Sequence, residues 1–246
     1  MKIAVITGAG QGIGLAIARR IHKDGYHVVA LDRVAQTAEQ TAELVGGTAC
    51  VVDVSDDESV GQCAAMIRDT FGSVDVLVNN AGYWRHETFE EGTEEGARDI
   101  FDVNVLGAWR VARHMVPLFN AGGAIVNVTS IAVTCPPFAL GLYPTTKAAL
   151  VGLTRQLAVQ LGPKGIRVNA VAPGLIRTPG SENSYKDGAR DRLLATLPIP
   201  RPGEPEDVAD VVSFLVGHDS RYITGEEIRV DGGFLLLGAS DPRLQG

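Results

Sequence analysis

The chain has 246 residues, 45% apolar and 21% charged, which supports a packed core and excludes a disordered, collagen-like or low-complexity protein. Its 22 basic and 29 acidic residues leave a formal net charge of −7, so nucleic acid and anionic membranes are not expected partners. No apolar run approaches the roughly 20 residues of a bilayer span. Three cysteines, Cys50, Cys63 and Cys135, with no C-x-x-C pair, argue against a disulfide framework or structural zinc.

Met1-Lys2-Ile3-Ala4-Val5-Ile6-Thr7 enters a strand pattern at once, so no signal peptide is expected and the reducing cytoplasm is the default location. Strands are predicted at Ile3 to Ile6, Val28 to Leu31, Ala49 to Val54, Val74 to Val78, Ala124 to Val128, Ile166 to Val171 and Glu227 to Val230. Their length and β-branched composition are those of buried parallel strands, and the helical segments between them read as crossovers. The expected fold class is α/β: a doubly wound, mostly parallel sheet of about seven strands with helices on both faces, in one domain spanning residues 1–246.

Punctuation supports the helices. Gly25 follows a segment from Gly14 to Asp24, and Ser55-Asp56-Asp57-Glu58 has the S-x-x-E form of a capping box. Gly162-Pro163 stops a helix running from Tyr143 to Leu161, and Pro205 suits the first turn of a late helix. Pro173 to Pro202 carries five prolines and reads as a loop with one short helix near Arg190 to Thr196. A tail, 234–246, follows Gly233 and begins with the apolar run Phe234 to Leu237.

Thr7-Gly8-Ala9-Gly10-Gln11-Gly12-Ile13-Gly14 joins the first strand to the first helix. Backbone amides at a helix N-terminus bind a pyrophosphate, and glycines stand where side chains would block its approach. A flexible strand-to-helix turn is the alternative for an isolated glycine run. Asp32 closes the second strand, 18 residues after Gly14, where a carboxylate accepts both ribose hydroxyls and repels a 2′-phosphate. That points to NAD(H) rather than NADP. Arg33 allows two readings, a partner for a 2′-phosphate or a planar cover for adenine, and Gln11 supplies no second cation. Asp53, in Asp53-Val54, is either an acceptor for the adenine amino group or a turn former.

Tyr143 and Lys147 lie four residues apart at a helix start, on one face and within reach of one substrate. Ser130 ends the fifth strand at the carboxyl edge of the sheet, where ligands bind in this architecture. A phenol with an ordinary pKa of about 10 is a poor base at neutral pH, but an adjacent ammonium and a positive nicotinamide ring favour its phenolate. Taken alone, Tyr-x-x-x-Lys also fits an aromatic body packed on the sheet beside a solvated lysine. His22, His27, His86, His114 and His218 show no metal-ligand spacing, and no G-x-S-x-G elbow surrounds a serine.

From Lys2 to Gly233 the chain resembles the short-chain dehydrogenase/reductase family of about 250 residues, with its Rossmann-like fold. Thr7 to Gly14 matches the TGxxxGIG element, Asn79-Asn80-Ala81-Gly82 the NNAG element, and Asn104 the helix asparagine. Ser130, Tyr143 and Lys147 match the active site, Pro173-Gly174 the PG element, and Val230-Asp231-Gly232-Gly233 the closing strand. The resemblance implies that Tyr143 is the general acid/base, Ser130 polarises the carbonyl or alcohol, and Lys147 binds the nicotinamide ribose and lowers the tyrosine pKa. It assigns Asn104 a water that relays protons from Lys147, Ile176 and Thr178 the carboxamide, and Asn80 the ribose edge; Asn79, Gly82 and Asp231 are structural. Pro144 departs from the small or polar residue of many relatives and is tolerated in a first helical turn.

The implied activity is an NAD-dependent secondary alcohol dehydrogenase or ketone reductase, assembled as a homotetramer through the helices of Asn104 and Tyr143. The alternatives are a 3-oxoacyl-thioester reductase of fatty-acid type and a cofactor-binding regulator without catalysis. Expected pocket walls are Tyr83, Trp84, Ile131, Cys135, Pro136, Phe138 and a lid near 175–200; Arg85, Arg177 and Lys186 are candidates for an anionic group. His86 is read as a surface loop residue.

Overall fold

The structure, a computed structural model, describes residues 1–182 and 189–237. Its strands are β1 (Lys2–Thr7), β2 (Tyr26–Asp32), β3 (Thr48–Val51), β4 (Val74–Asn79), β5 (Phe119–Val128), β6 (Arg167–Pro173) and β7 (Glu227–Val230). They form one sheet in the order β3-β2-β1-β4-β5-β6-β7, with every pairing parallel. Parallel strands need crossovers, and these are α1 (Gly12–Lys23), α2 (Ala35–Leu44), α3 (Asp57–Phe71), α4 (Glu94–Phe101), α5 (Ala108–Met115), α6 (Tyr143–Leu161), α7 (Ala189–Leu194) and α8 (Pro205–Val216).

The near-continuous apolar strands follow from burial on both faces. Ala4 and Ile6 of β1 pack with Ile17 and Ile21 of α1 and Val208, Val212 and Leu215 of α8. Ile3 and Val5, pointing the other way, pack with Val60 and Ile67 of α3, Val111 and Met115 of α5 and Leu161 of α6.

Several boundaries differ from expectation. β3 stops at Val51 because Asp53 turns the chain, its Oδ1 accepting from the Ser55 amide at 2.9 Å and the Ser55 hydroxyl at 2.6 Å. Ser55 is thereby diverted from capping α3; Asp56 is the cap and accepts from the Glu58 amide at 2.9 Å. α2, an expected crossover, has no bounds in the sequence because it buries only Ala38, Thr41 and Ala42, which give little hydrophobic periodicity. α6 spans Tyr143–Leu161 as expected, with Pro144 in its first turn. The short helix of the Pro173 to Pro202 segment is α7, and Pro205 opens α8.

The apolar tail does not stand free. Phe234 and Leu237 pack with Leu175 against Leu194 and Leu197 of the same chain, while Leu236 remains exposed. Residues 238–246 lie outside the described residues, as do 183–188 of the expected lid. Among the described residues no helix is long and apolar enough to cross a membrane, and the three cysteines are free thiols.

Candidate active site

The strand order reverses beside β1: β2 and β3 lie on one side and β4 on the other. This leaves a crevice at the carboxyl ends of β1 and β4, the expected ligand position in a doubly wound sheet. A cleft of about 640 Å³ occupies it and runs from Asp32, Arg33 and Asp53, past the glycine turn, to Ser130, Tyr143 and Lys147.

At the near end, Gly8 and Gly12 adopt φ of +61° and +54°, a left-handed backbone that side chains resist. A Cβ on Gly14 would lie 2.0 Å from the Gly8 carbonyl oxygen. α1 opens on Gln11 without a side-chain cap and has no acidic residue in its first turn, so its amides keep their donors for an anion. The turn is clamped to β4. Thr7 Oγ1 accepts from the Asn80 and Ala81 amides at 3.0 and 2.9 Å, and Asn80 Nδ2 donates to the Thr7 and Gly8 carbonyls at 3.0 Å. Asn80 thus sets the shape of the turn as well as lining the cleft.

Asp32 Oδ2 accepts from the Gly10 amide at 2.9 Å and Oδ1 from the Val34 amide at 3.1 Å, which leaves a further lone pair on each oxygen. Asp53 forms a turn through Oδ1 and also lines the cleft: the Ser55 hydroxyl and amide hold its carboxylate below the usual range, with Arg33 and Arg110 adding to the effect.

At the far end, Ser130 accepts from the Ala132 amide at 3.1 Å, and its hydroxyl faces the Tyr143 phenol. Lys147 is 4% exposed, and its Nζ donates to the Val128 carbonyl at 2.8 Å. Its two other donors have no hydrogen-bond partner among the described residues. Burial pulls this ammonium down to about 8. Burial also pushes the Tyr143 phenol above its ordinary value, with the neighbouring Ser130 hydroxyl working against the shift. The Lys147 Nζ, 5.7 Å from the ring centroid, does not by itself offset the cost of a buried phenolate; the expected lowering rests on the positive nicotinamide ring as well.

Asn104 is held by a π-helical turn over Asp102–Gly107, which links α4 to α5. Its Oδ1 accepts from the Tyr83 amide at 2.9 Å, and its Nδ2 donates to the Tyr83 carbonyl at 2.9 Å and to Thr146 Oγ1 at 3.0 Å. The side chain stands behind the cleft wall. Gly82 lets both side chains come close to the backbone there, since a Cβ on it would lie 3.0 Å from Asn104 Oδ1 and 3.3 Å from Lys147 Nζ.

Every residue expected at the cofactor or the reaction lines the cleft except Asn104: Gly8, Gln11, Gly12, Ile13, Gly14, Asp32, Arg33, Asp53, Val54, Asn80, Ala81, Gly82, Ser130, Tyr143, Lys147, Pro173, Gly174, Ile176 and Thr178. Thr178 packs against the glycine turn, within 3.4 Å of where a Gly12 Cβ would sit. Asp231 is structural, accepting from the Gly233 and Leu235 amides at 3.0 Å each. The substrate wall needed more correction. Phe138 is 93% exposed and lies outside the cleft, and Pro137 rather than Pro136 lines it. Arg85 pairs with Asp99 and Arg177 with Glu182, both away from the lining. Lys186 lies outside the described residues. His86, Arg190 and Phe234 do line the cleft; Arg190 falls in the expected lid, and for His86 and Phe234 local sequence holds no signal beyond position in a loop after a strand.

The glycine cradle, the uncapped helix start and the two open donors on a buried ammonium fit a dinucleotide whose phosphates, ribose and reactive ring follow the cleft in that order. The fold and site therefore define a nucleotide-dependent oxidoreductase. Residues 8–235 match the family described as enoyl-(acyl carrier protein) reductase. An uncharacterized oxidoreductase of Methylorubrum extorquens is 38% identical over 94% of this chain and 97% of its own. Human dehydrogenase/reductase SDR family member 4 is 40% identical over 94% of this chain and 87% of its own. A solved Brucella melitensis structure, described as a short-chain dehydrogenase/reductase and glucose/ribitol dehydrogenase, superposes with a TM-score of 0.91 at 31% identity, covering 95% of this chain and 96% of that one. The chain belongs to the short-chain dehydrogenase/reductase family, whose members typically use nicotinamide cofactors.

Proposed function

We propose that this enzyme interconverts a secondary alcohol and a ketone, with NAD(H) as its hydride partner and Tyr143 as general acid/base. The observation that carries the reading is the convergence of the Ser130 hydroxyl, Tyr143 phenol and Lys147 ammonium at one end of a cleft whose other end holds Asp32. When bound, the nicotinamide supplies or accepts the hydride. Ser130, with the Ala132 amide on its acceptor side, directs its proton to the substrate oxygen. Tyr143 is kept neutral by burial and gives its proton to that oxygen as negative charge develops. The neutral phenol suits carbonyl reduction; oxidation runs the same transfer backwards and needs positive charge nearby to offset the buried phenolate.

The two open donors of Lys147 hold the nicotinamide ribose, with Asn80 at its edge, and Ile176 and Thr178 hold the carboxamide. A water held by Asn104 is assigned the relay of protons from Lys147 to solvent, and Gly82 brings the backbone close to both side chains. The segment 175–200 is assigned as a substrate lid because Leu175, Ile176, Thr178 and Arg190 from it line the cleft. The test is turnover of ketones with NADH and of secondary alcohols with NAD, read by nicotinamide absorbance. A protein that binds NAD and turns over no member of a broad panel is a regulator, and the reading falls.

Asp32 decides the cofactor. A hydrogen bond to a charged group contributes about 1.5 to 3 kcal/mol, and about 1.4 kcal/mol is tenfold, so NAD should be preferred over NADP by at least about tenfold in kcat/KM. Asp32→Ala should lower the efficiency with both cofactors, because the Gly10 and Val34 amides lose their acceptor. It should still raise the NADP to NAD ratio, since repulsion of the 2′-phosphate is gone and Arg33 stays. Equal use of both cofactors by the unaltered enzyme contradicts this assignment.

A homotetramer is the proposed assembly. Leu106 and Trp109, on the helical segment that carries Asn104, and Val159 of α6 are exposed apolar residues on the helices expected to pair. Light scattering should report about four times the 26.0 kDa chain mass, and a monomer at micromolar concentration contradicts the proposal.

A further inference from the structure

Two loops close the substrate side of the cleft. One follows β4 and carries Trp84 and His86; the other precedes α6 and carries Ala139 and Leu140. They are joined by the Gly141 amide, which donates to the Glu87 carbonyl at 3.0 Å, and the second loop is tied to the helix start by the Tyr143 amide, which donates to the Leu140 carbonyl at 3.0 Å. His86 is therefore tied, through a few residues of backbone, to the start of the helix that positions the reacting phenol.

The His86 ring is fixed at two points. Its Nδ1 lies 3.2 Å from the Ala139 carbonyl, and Trp84 meets it edge to face with centroids 5.0 Å apart. A carbonyl oxygen only accepts, so Nδ1 carries the proton of the neutral ring and Nε2 is left with its lone pair. Nε2 has no hydrogen-bond partner among the described residues. His86 is exposed and its Nε2 meets water, but Trp84 and Leu140 beside it on the lining are apolar, so a wholly apolar substrate seated there would strip that water and leave the acceptor unsatisfied.

We propose that His86 is a specificity-determining residue whose Nε2 accepts a hydrogen bond from a second hydroxyl of the substrate, making hydroxyketones, and the diols they yield, the preferred substrate class. The proposal rests on the reading of the site as a ketone reductase. It differs from the anionic substrate that Arg190, elsewhere on the same lining, would favour.

The experiment compares β-hydroxypropiophenone, propiophenone and benzoylacetate, within a panel of ketones each presented with and without a hydroxyl, using NADH. One neutral hydrogen bond is equivalent to up to about tenfold in kcat/KM. The unaltered enzyme should favour the hydroxylated member of each pair by about that factor. His86→Phe, which keeps an aromatic ring and removes both nitrogens, should bring the ratio close to one. His86→Gln, which can return an oxygen acceptor near Nε2, should restore part of it. No preference in the unaltered enzyme, or a preference that survives in His86→Phe, overturns the proposal. A preference for benzoylacetate that Arg190→Ala abolishes also overturns it, by placing the polar end of the substrate at Arg190. Absence of turnover across the whole panel is a different result: it removes the ketone-reductase reading, and this inference falls with it.

Discussion

Tyr143→Phe should lower kcat at least a hundredfold while leaving NADH affinity and the melting temperature nearly unchanged. The substitution removes one hydroxyl from a partly buried ring that remains packed at the start of α6, so little folding energy is at stake. What is lost is the proton. A hundredfold loss corresponds to about 2.7 kcal/mol of barrier, which is within the range of a positioned general acid. Because burial holds the phenol above its ordinary value, it is protonated at neutral pH and no other group in the lining is placed to replace it beside Ser130. Equilibrium binding of NADH, followed by fluorescence, separates the two effects: affinity should hold while turnover collapses. Retention of more than about a tenth of kcat, a barrier change below about 1.4 kcal/mol, rejects Tyr143 as the acid.

Lys147→Met should abolish most activity and, in the same protein without cofactor, raise the melting temperature. Lys147 is buried without a carboxylate partner, and its ammonium is pulled down to about 8 by burial alone. Its unfolded value is about 10.4, so folding to the charged form costs roughly 3 kcal/mol at neutral pH. Methionine has a similar reach and no charge; it forfeits the hydrogen bond to the Val128 carbonyl, a loss of about 1 kcal/mol. The net gain is of order 1 to 2 kcal/mol.

The sign of the pH dependence is diagnostic. Below pH about 8 the lysine is protonated in both states and the full cost is present. Between about 8 and about 10.4 the unfolded chain holds more protons than the folded one, so the unaltered protein gains stability as pH rises. The advantage of the methionine variant should therefore shrink across that window. Paired melts at neutral pH and near pH 10 measure it, and a gain of the same size at both values would show that Lys147 is not the buried cation described here. Activity should fall more than for Tyr143→Phe, because the ribose loses its donors as well as the reaction its charge.

How much of this was legible in the sequence follows from which information is local. Strand period, glycine spacing and the four-residue separation of Tyr143 and Lys147 are properties of short segments. They were enough to specify a doubly wound sheet, a phosphate cradle and a shared helix face, because backbone geometry alone converts such spacings into directions. Asp32 was legible for the same reason: it closes the strand next to the cradle, and a parallel sheet brings those two ends together.

What required the tertiary structure was everything set by loops that meet across the sheet edge. Phe138 reads as a pocket wall and faces solvent, whereas His86, exposed as its surface reading expects, also lines the cleft, because their loops are aligned by the Glu87 to Gly141 hydrogen bond and not by any periodicity of their own. Asn104 was found by motif, but its post behind Tyr83 depends on a π-helical turn for which a hydrophobic pattern has no signature. Burial of Lys147 was likewise hidden, since a lysine in a helix's first turns is ordinarily solvated; β5, ending at Val128, and the segment around Gly82 must both be in place before its ammonium loses water. The sequence by itself thus determined the fold and the family, and it singled out the groups proposed to react, all of which rest on local spacing. Only the folded chain decided the protonation of those groups and the shape of the substrate wall, because both depend on which distant segments exclude water from the same few ångströms.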